Sequence, residues 1–534
     1  MILANPKKIL ANMQTMLHIY KNAATSKRGV EPYISIHCVD KCTKNLRVMN
    51  GIKDCYNPYS GCDVLVMVKY PKGPPFYQDA DNYSEKSLHE ALWWAELKAW
   101  QEHESFKANP QEFIPRKLLH ENYITNDHIK LRNLGVVPFP ENEDELFKFL
   151  MEIDNKIGES HKDIKYTKVE MDIWGGNEIF CDSLGTRIIQ EHSRMTTEMT
   201  AYAKADDMPE RTLEMNDRIG GFGGFELLKK LKKEAMQKAE NLGRKAVEFA
   251  KAKSEDSNFK LTKSTYDAVL DGRVAAISIH EVGAGHAAEA KLDEYDSIAA
   301  PFGGKLGERV GIDDLNIIDY ALLEIQGIKP FSWYTYDAEG VKAKKTLVVK
   351  DGKFNSYLHT KLTAGSIPKK DGGGVLTGNA RYLLEGGNEE PEPRMSTLYL
   401  KPSKKKCSLE DLLHEIKGKG LYLAGLSFGE TDQGQGKVGF QELYFINSAG
   451  HKVPLRMKGH EMYITENVVS YMSKITKIGD KSTVEIDTGW CGSESGTIPH
   501  TASGAAIMVK GIDITPHKLE PPKKAPLAPI PKRK

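Results

Sequence analysis

The stretch Ile279-His280-Glu281-Val282-Gly283-Ala284-Gly285-His286-Ala287-Ala288-Glu289-Ala290 sets two histidines six residues apart, with a glutamate beside the first. Zinc takes imidazole nitrogens as ligands, and a neighbouring carboxylate can take a proton from a water that the metal activates. In the familiar HExxH pattern the four-residue spacing brings both imidazoles to one helix face, about 40° apart. A six-residue spacing puts them roughly 120° apart, so on an undistorted helix they cannot share a metal. Gly283 and Gly285 lie between them, and glycine suits a widened turn or a break. Taken alone, the stretch fits equally well two unrelated histidines on a partly buried helix.

Outward from that stretch the texture differs on the two sides. Asp267–Leu270 reads as a strand just before it. From Ile317 onward short strands alternate with Gly and Pro turns: Leu347–Val349, Lys353–Leu358, Thr397–Leu400, Leu421–Ala424, Lys437–Phe445, Ser482–Ile486 and Ala506–Ile512. That spacing predicts an antiparallel sheet or a barrel. Upstream, helix and strand patterns mix. Helices are expected over Pro6–Asn22, Ser84–Ala108, Glu143–Gly158 and Leu227–Ala252, the last a Lys/Glu/Ala-rich, solvated connector between halves. In the second helix Leu92, Trp93, Ala95, Leu97 and Trp100 form the expected buried stripe. Strands are expected over Tyr33–Val39, Asn45–Met49 and Asp63–Tyr70, with Asn50-Gly51 as a turn. Tyr166–Trp174 and Asn177–Cys181 read as two more strands around a Gly175-Gly176 turn, followed by the strand-like Leu184–Tyr202. The glycine-dense Arg218–Glu226 lacks GxxxxGK[ST], and a flexible or tightly turned break is favoured over a phosphate cradle.

The fold class that follows is α+β: an N-terminal α/β-mixed domain, then a mostly antiparallel β-rich C-terminal domain carrying the metal-motif helix. The expected division is residues 1–226 for the first domain, 227–260 for the connecting helix, 261–516 for the β-rich catalytic domain and 517–534 for a disordered Pro/Lys tail. At 534 residues, with Lys+Arg 74 against Asp+Glu 73, charge gives no reason to expect nucleic acid or an anionic membrane as the main partner. No apolar run approaches the roughly 18 residues that span a bilayer. The first twenty residues lack the apolar core of a signal peptide. Seven cysteines at irregular spacing suggest reduced thiols and a cytoplasmic protein. His37, Cys38, Cys42, Cys55 and Cys62 cluster in one hairpin region; without a paired CxxC, free cysteines on strands are favoured over a second metal site.

Several blocks, in order, resemble the TldD/PmbA family, and the match is to its zinc-bearing TldD type. They are His280-Glu281 with Gly285-His286-Ala287-Ala288-Glu289-Ala290; Gly307-Glu308-Arg309-Val310; Gly352 through Tyr357-Leu358-His359; Thr377-Gly378-Asn379 with Arg381; Pro393-Arg394-Met395; and Gly489-Trp490-Cys491-Gly492-Ser493. The first half joins through Gly61 to Val68 and through Gly220 to Leu228. The resemblance implies a zinc metallopeptidase with one Zn2+ per chain, held by His280, His286 and Cys491, with Glu281 as the catalytic base. Three protein ligands leave a fourth position open, as catalytic zinc requires. It further implies that unfolded or short peptides are cut inside a chamber enclosed by two subunits. The partner is then a second copy or a PmbA/TldE-like subunit. The family spacing is HExxxH, and here one more residue falls within Val282-Gly283-Ala284. Either a glycine bulge absorbs it, the favoured expectation, or His280 swings off the metal and Glu289 becomes a ligand. The competing reading is a non-catalytic, peptide-binding partner subunit whose motif is out of register.

Overall fold

The computed structural model describes residues 5–108, 116–139, 143–205, 212–253, 255–256, 259–260, 262, 264–292, 302–382, 390–432, 434–456, 460–493 and 496–518. The first half is one large sheet with helices on one face. After α1 (Pro6–Arg28) come β1 (Tyr33–Met49), β2 (Ile52–Lys69), β3 (Phe76–Ala80), α2 (Glu85–Ala108), β4 (Asn126–Ile129) and α3 (Asp144–Glu159). Then follow β5 (Ile164–Asp182), β6 (Arg187–Lys204), β7 (Thr212–Phe222) and α4 (Phe225–Ala250). The strands pair in the order β3-β2-β1-β5-β6-β4, and β7 also pairs with β6.

Side chains alternate across a strand, so residue parity tells which face each one meets. Ile34, Ile36 and Cys38 of β1, with Ile179 and Cys181 of β5, pack under α1 and α2. Leu46 and Val48, with Val169, Met171 and Ile173, have the same parities and pack under α3 and α4 at the far end of the same face. The opposite parity carries His37, Glu178, His192 and Arg194. This polar face is covered by the second half of the chain. Gln190 of β6, for example, donates from Nε2 to the Tyr336 carbonyl at 2.6 Å.

The second half contributes β8 (Glu255–Asp256), β9 (Phe259–Lys260), β10 (Ser264–Leu270), α5 (Gly272–Glu281), α6 (Ala284–Ala287), β11 (Ile317–Asp319), β12 (Thr346–Lys350) and β13 (Lys353–Phe354). Next are β14 (Ala380–Arg381), β15 (Glu392–Pro393), β16 (Thr397–Leu400), β17 (Leu421–Asp432), β18 (Gln435–Ile446), β19 (Lys452–Pro454) and β20 (His460–Asn467). The last are β21 (Ile475–Ile478), β22 (Glu485–Cys491), β23 (Ile498–Gly504) and β24 (Ile507–Lys518). Strands β10-β17-β18-β20-β24 pair in that order, and β24 pairs back onto β10, which closes a barrel. A second sheet runs β13-β12-β11-β16-β23-β22. Helix α5 packs against β17 and β18 of the barrel and against β22 and β23 of the sheet. It is buried all round, from Gly272 through His280, as a helix sandwiched between two sheets must be, with Arg273 paired to Asp217 and Asp487.

The α+β class with a β-rich second half therefore holds. Two of its pairings are parallel, β10 with β17 and β16 with β23. Asn50 and Gly51 take positive φ values of 51° and 79° and form the expected turn. Gly175 and Gly176 do not turn: β5 runs straight through them, paired with Lys41 and Cys42 on β1. A Cβ at Gly176 would strike the Asp40 carbonyl, so this glycine serves strand approach. Likewise β1 is a single strand from Tyr33 to Met49, with an irregularity at Thr43/Asn45 against β2. Trp93 is 44% exposed, outside the buried stripe expected of α2. Helix α4 is no solvated connector: it buries eleven residues, Leu227 to Ala250, in a core shared with both halves. The expected tail begins within β24, which reaches Lys518; residues 519–534 lie outside the described residues. Among the described residues no helix is long and apolar enough to cross a membrane.

Gly272, the first residue of α5, touches the sheet without room for a side chain. A Cβ there would lie 2.6 Å from the Gly504 carbonyl oxygen and 2.7 Å from both the Glu485 nitrogen and the Thr483 oxygen. Backbone cannot swing aside, so Gly272→Ala is expected to cost about 1–3 kcal/mol, read as a lower urea midpoint.

Candidate metal centre

Three elements converge at the end of α5. Asp271 caps its start, accepting from the Val274 nitrogen at 2.7 Å. Helical geometry ends at Glu281, with the Val282 nitrogen bonded to the Ser278 carbonyl. Gly283 leaves the helix at φ −121° and ψ −138°, and α6 restarts at Ala284. The surplus residue of the motif is thus taken up by a break between two helices. The expected glycine bulge is not formed, because the chain re-enters helix with its phase reset.

That break turns both imidazoles inward. The His280 and His286 rings stand 4.9 Å apart at 79°. Cys491, the last residue of β22, closes the group, its Sγ 4.0 Å from His286 Nε2. One ligand atom each from His280, His286 and Cys491 lie within 4.8 Å of one another, the one such group found among the described residues. Glu281 borders it, with Oε2 3.5 Å from His286 Nε2 and Oε1 3.9 Å from His280 Nε2. All four sequence-predicted residues are brought together.

Glu289 stands behind His286, with Oε2 2.9 Å from Nδ1. Its other oxygen accepts from the Met395 nitrogen at 3.3 Å. A carboxylate on Nδ1 leaves Nε2 as the nitrogen presented to the centre, which is the usual role of an outer carboxylate behind a metal-binding histidine. Three further residues had no sequence signal as site members. Thr431 of β17 places its hydroxyl 2.6 Å from the Glu281 carbonyl and 2.7 Å from its Oε2, fixing the carboxylate. Arg394 donates to the Cys491 carbonyl at 2.8 Å and to its sulfur at 3.0 Å. His500 stacks on His280 with ring centroids 4.7 Å apart. Arg394 stands in one of the family-like blocks, but only the fold brings it to the thiol.

Electrostatically the group is tightly coupled. Burial raises the Cys491 thiol pKa, but His280, His286 and Arg394 outweigh it and hold it well below the ordinary range. Burial lowers His280, and the Cys491 and Glu281 charges overcome this to raise it. His286 is likewise raised well above its usual value, against burial, by Glu289, Cys491 and Glu281. Glu281 is brought down to about 2, against burial, by the two imidazoles and Thr431. Thiolate and carboxylates gathered around two imidazoles form a donor set whose protons a divalent cation would displace.

Among the described residues, His37 and the cysteines of the first half form no second group. His37 Nε2 bonds Glu178 at 2.8 Å, and Cys38 Sγ lies 3.3 Å from Cys62 Sγ with both thiols free. Cys42 is buried and free, and the Cys55 side chain lies outside the described residues.

Residues 263–516 match the family model described as the PmbA/TldA metallopeptidase C-terminal domain. A metalloprotease of Methanocaldococcus jannaschii is 33% identical over 335 residues, covering 62% of this chain and 66% of the relative. A metalloprotease of Archaeoglobus fulgidus is 30% identical over 335 residues, covering 62% of this chain and 68% of the relative. The chain belongs to the TldD/PmbA family. It spans just under two thirds of the M. jannaschii protein's length. Among solved structures, TldE from Thermococcus kodakarensis shares the TldD/PmbA fold, with a TM-score of 0.61 at 13% identity over 94% of this chain and 99% of that one.

Proposed function

We propose that this TldD/PmbA chain is a zinc-dependent peptidase, with the metal held by His280, His286 and Cys491. The observation that carries this reading is the convergence of those three donors within 4.8 Å, with Glu281 on their border. One soft and two borderline donors, which leave a fourth coordination position unfilled by protein, suit zinc at a catalytic site. When bound, zinc supplies Lewis acidity, polarising a carbonyl oxygen and acidifying a water.

The chain's own residues do the rest. Glu281 takes the proton from the attacking water and returns it to the leaving amine. Thr431 keeps that carboxylate aimed, so no torsional freedom is lost at the moment of transfer. Glu289 fixes the His286 tautomer, and Arg394 keeps the Cys491 sulfur anionic and in place. A sheet-rich setting favours an extended peptide, held by backbone hydrogen bonds and therefore tolerant of sequence. Within this reading residues 261–516 are the catalytic part. Unfolded or short peptides are the substrates, met in a chamber completed by a second copy or a PmbA/TldE-like subunit.

The test is metal content. Purified protein is expected to hold about one zinc per chain, lost in both His286→Ala and Cys491→Ala. A chain that stays empty after zinc supplementation would be a peptide-binding partner subunit instead.

A further inference from the structure

Beside the candidate centre lies a cavity of about 40 Å³ between the polar face of the first sheet and the second half of the chain. Two buried guanidinium groups line it. Arg194 is 2% exposed; its Nη1 donates to the Phe331 carbonyl at 2.8 Å. Its Nη2 reaches His192 Nδ1 at 2.8 Å and the Trp333 carbonyl at 3.4 Å, while Nε has no partner. Arg381 is 8% exposed and uses only Nη1, on the Met395 and Pro499 carbonyls, both at 2.9 Å. Among the described residues neither arginine makes an ion pair, and three of their nitrogens stay unused.

The acids in the same wall are committed elsewhere. Glu178 accepts from His37, His192 and Gln190 at 2.8–3.0 Å. Asp337 accepts from the backbone nitrogens of Glu339, Val341 and Ala380 at 2.9–3.0 Å. Burial pulls both guanidinium pKa values down, helped by Arg381 at Arg194 and by Arg394 at Arg381, while the Glu178 charge opposes the shift at both. A guanidinium does not give up its proton in a protein, so the cost that Glu178 leaves uncovered favours a further anion beside the unused N–H donors.

Position ties the cavity to the centre. Ile498, in its wall, is the ladder partner of Cys491. Two residues on, His500 stacks on His280. Met395, whose carbonyl Arg381 holds, gives its nitrogen to Glu289. A volume of this size takes about three water-sized groups, or one carboxylate.

We propose that this cavity is a carboxylate subsite, in which Arg194 and Arg381 grip an acidic group of the peptide that lies across the metal centre. The inference rests on the peptidase reading above. The carboxylate is either the free C-terminus of the peptide or the side chain of an Asp or Glu within it. Planar guanidinium groups with free N–H donors match both oxygens of either one.

Calorimetric binding to zinc-loaded Glu281→Gln protein tests the subsite without turnover. The probes are acetyl-penta-alanine with a free carboxylate, the same peptide as its amide, and the amide with glutamate at its centre. At least one carboxylate peptide is expected to bind about tenfold or more tighter than the neutral amide, and which one does so identifies the source. Adding Arg381→Gln or Arg194→Gln should erase the difference while leaving the amide's Kd in place. Arg381→Lys, which keeps the charge, should retain part of it. Because either arginine replacement could unfold the chain, acetate competition is run on the parent. It should weaken the carboxylate peptide and not the amide. Equal affinity for all three peptides, or a preference that survives Arg381→Gln, overturns the subsite and leaves the peptidase reading intact. Failure of every peptide to bind overturns both.

Discussion

Glu281→Gln is expected to lower kcat/KM for peptide hydrolysis by about 10²–10⁴-fold while zinc content stays at its parent value. Glutamine keeps the shape of the side chain, and its amide can still meet the Thr431 hydroxyl 2.7 Å away. What it lacks is a lone pair basic enough to take a proton. The loss should therefore appear in kcat, with peptide affinity nearly unchanged. Peptide cleavage by the purified variant, beside metal analysis of the same sample, separates the outcomes. Cleavage at the parent rate would remove Glu281 from the mechanism. Loss of zinc with loss of cleavage would make Glu281 a ligand, and the base would have to be sought elsewhere.

Gly285→Ala is expected to weaken zinc binding by about ten- to a hundredfold with little change in overall secondary structure. A Cβ at this position would fall 2.8 Å from the His280 Cα and 2.5 Å from the Met395 sulfur, as well as against the His280 carbonyl. Relief requires α6 to move away from α5, and that movement carries His286 off its partners. Met395 could yield, being flexible; the backbone of His280 cannot. Competition for zinc against a chromophoric chelator gives the affinity. An unchanged value would mean that the join between α5 and α6 accommodates a methyl group, and that the short contact does not govern the ligand geometry.

How much of this was legible in the sequence depended on whether the information was local. Period placed α2 to α4 within two residues at each end and found the start of α1, which runs six residues past the expected Asn22, because helix signals come from neighbours along the chain. Gly175-Gly176 misled for the same reason. Paired glycines usually mark a turn, and only the β1 strand lying against Gly176 shows that they serve close approach instead. The exposed Trp93 and the buried face of α4 likewise depend on what the rest of the chain brings to each helix. At the candidate centre, the residue types and the family-like blocks named His280, Glu281, His286 and Cys491. Helical geometry alone predicted that the two histidines could not meet. It missed the outcome because a break at Val282-Gly283 resets the phase, and glycines permit a break without specifying one. Thr431, Arg394 and His500 were out of reach of any spacing argument, since strand and loop packing, not helical period, brings each of them to the centre.

The 205-residue separation of His286 and Cys491 also sets a schedule. At ordinary synthesis rates a ribosome needs about 10–40 s to cross that interval, so the histidines emerge long before the thiol that completes the set. The strand that closes the barrel, β24, follows later still and pairs with β10, the strand just ahead of the histidine helix. Completion of the donor trio and closure of the barrel thus fall close together as the chain emerges. Under the peptidase function proposed above, the nascent chain would be inert toward other unfolded polypeptides until its own folding is nearly done.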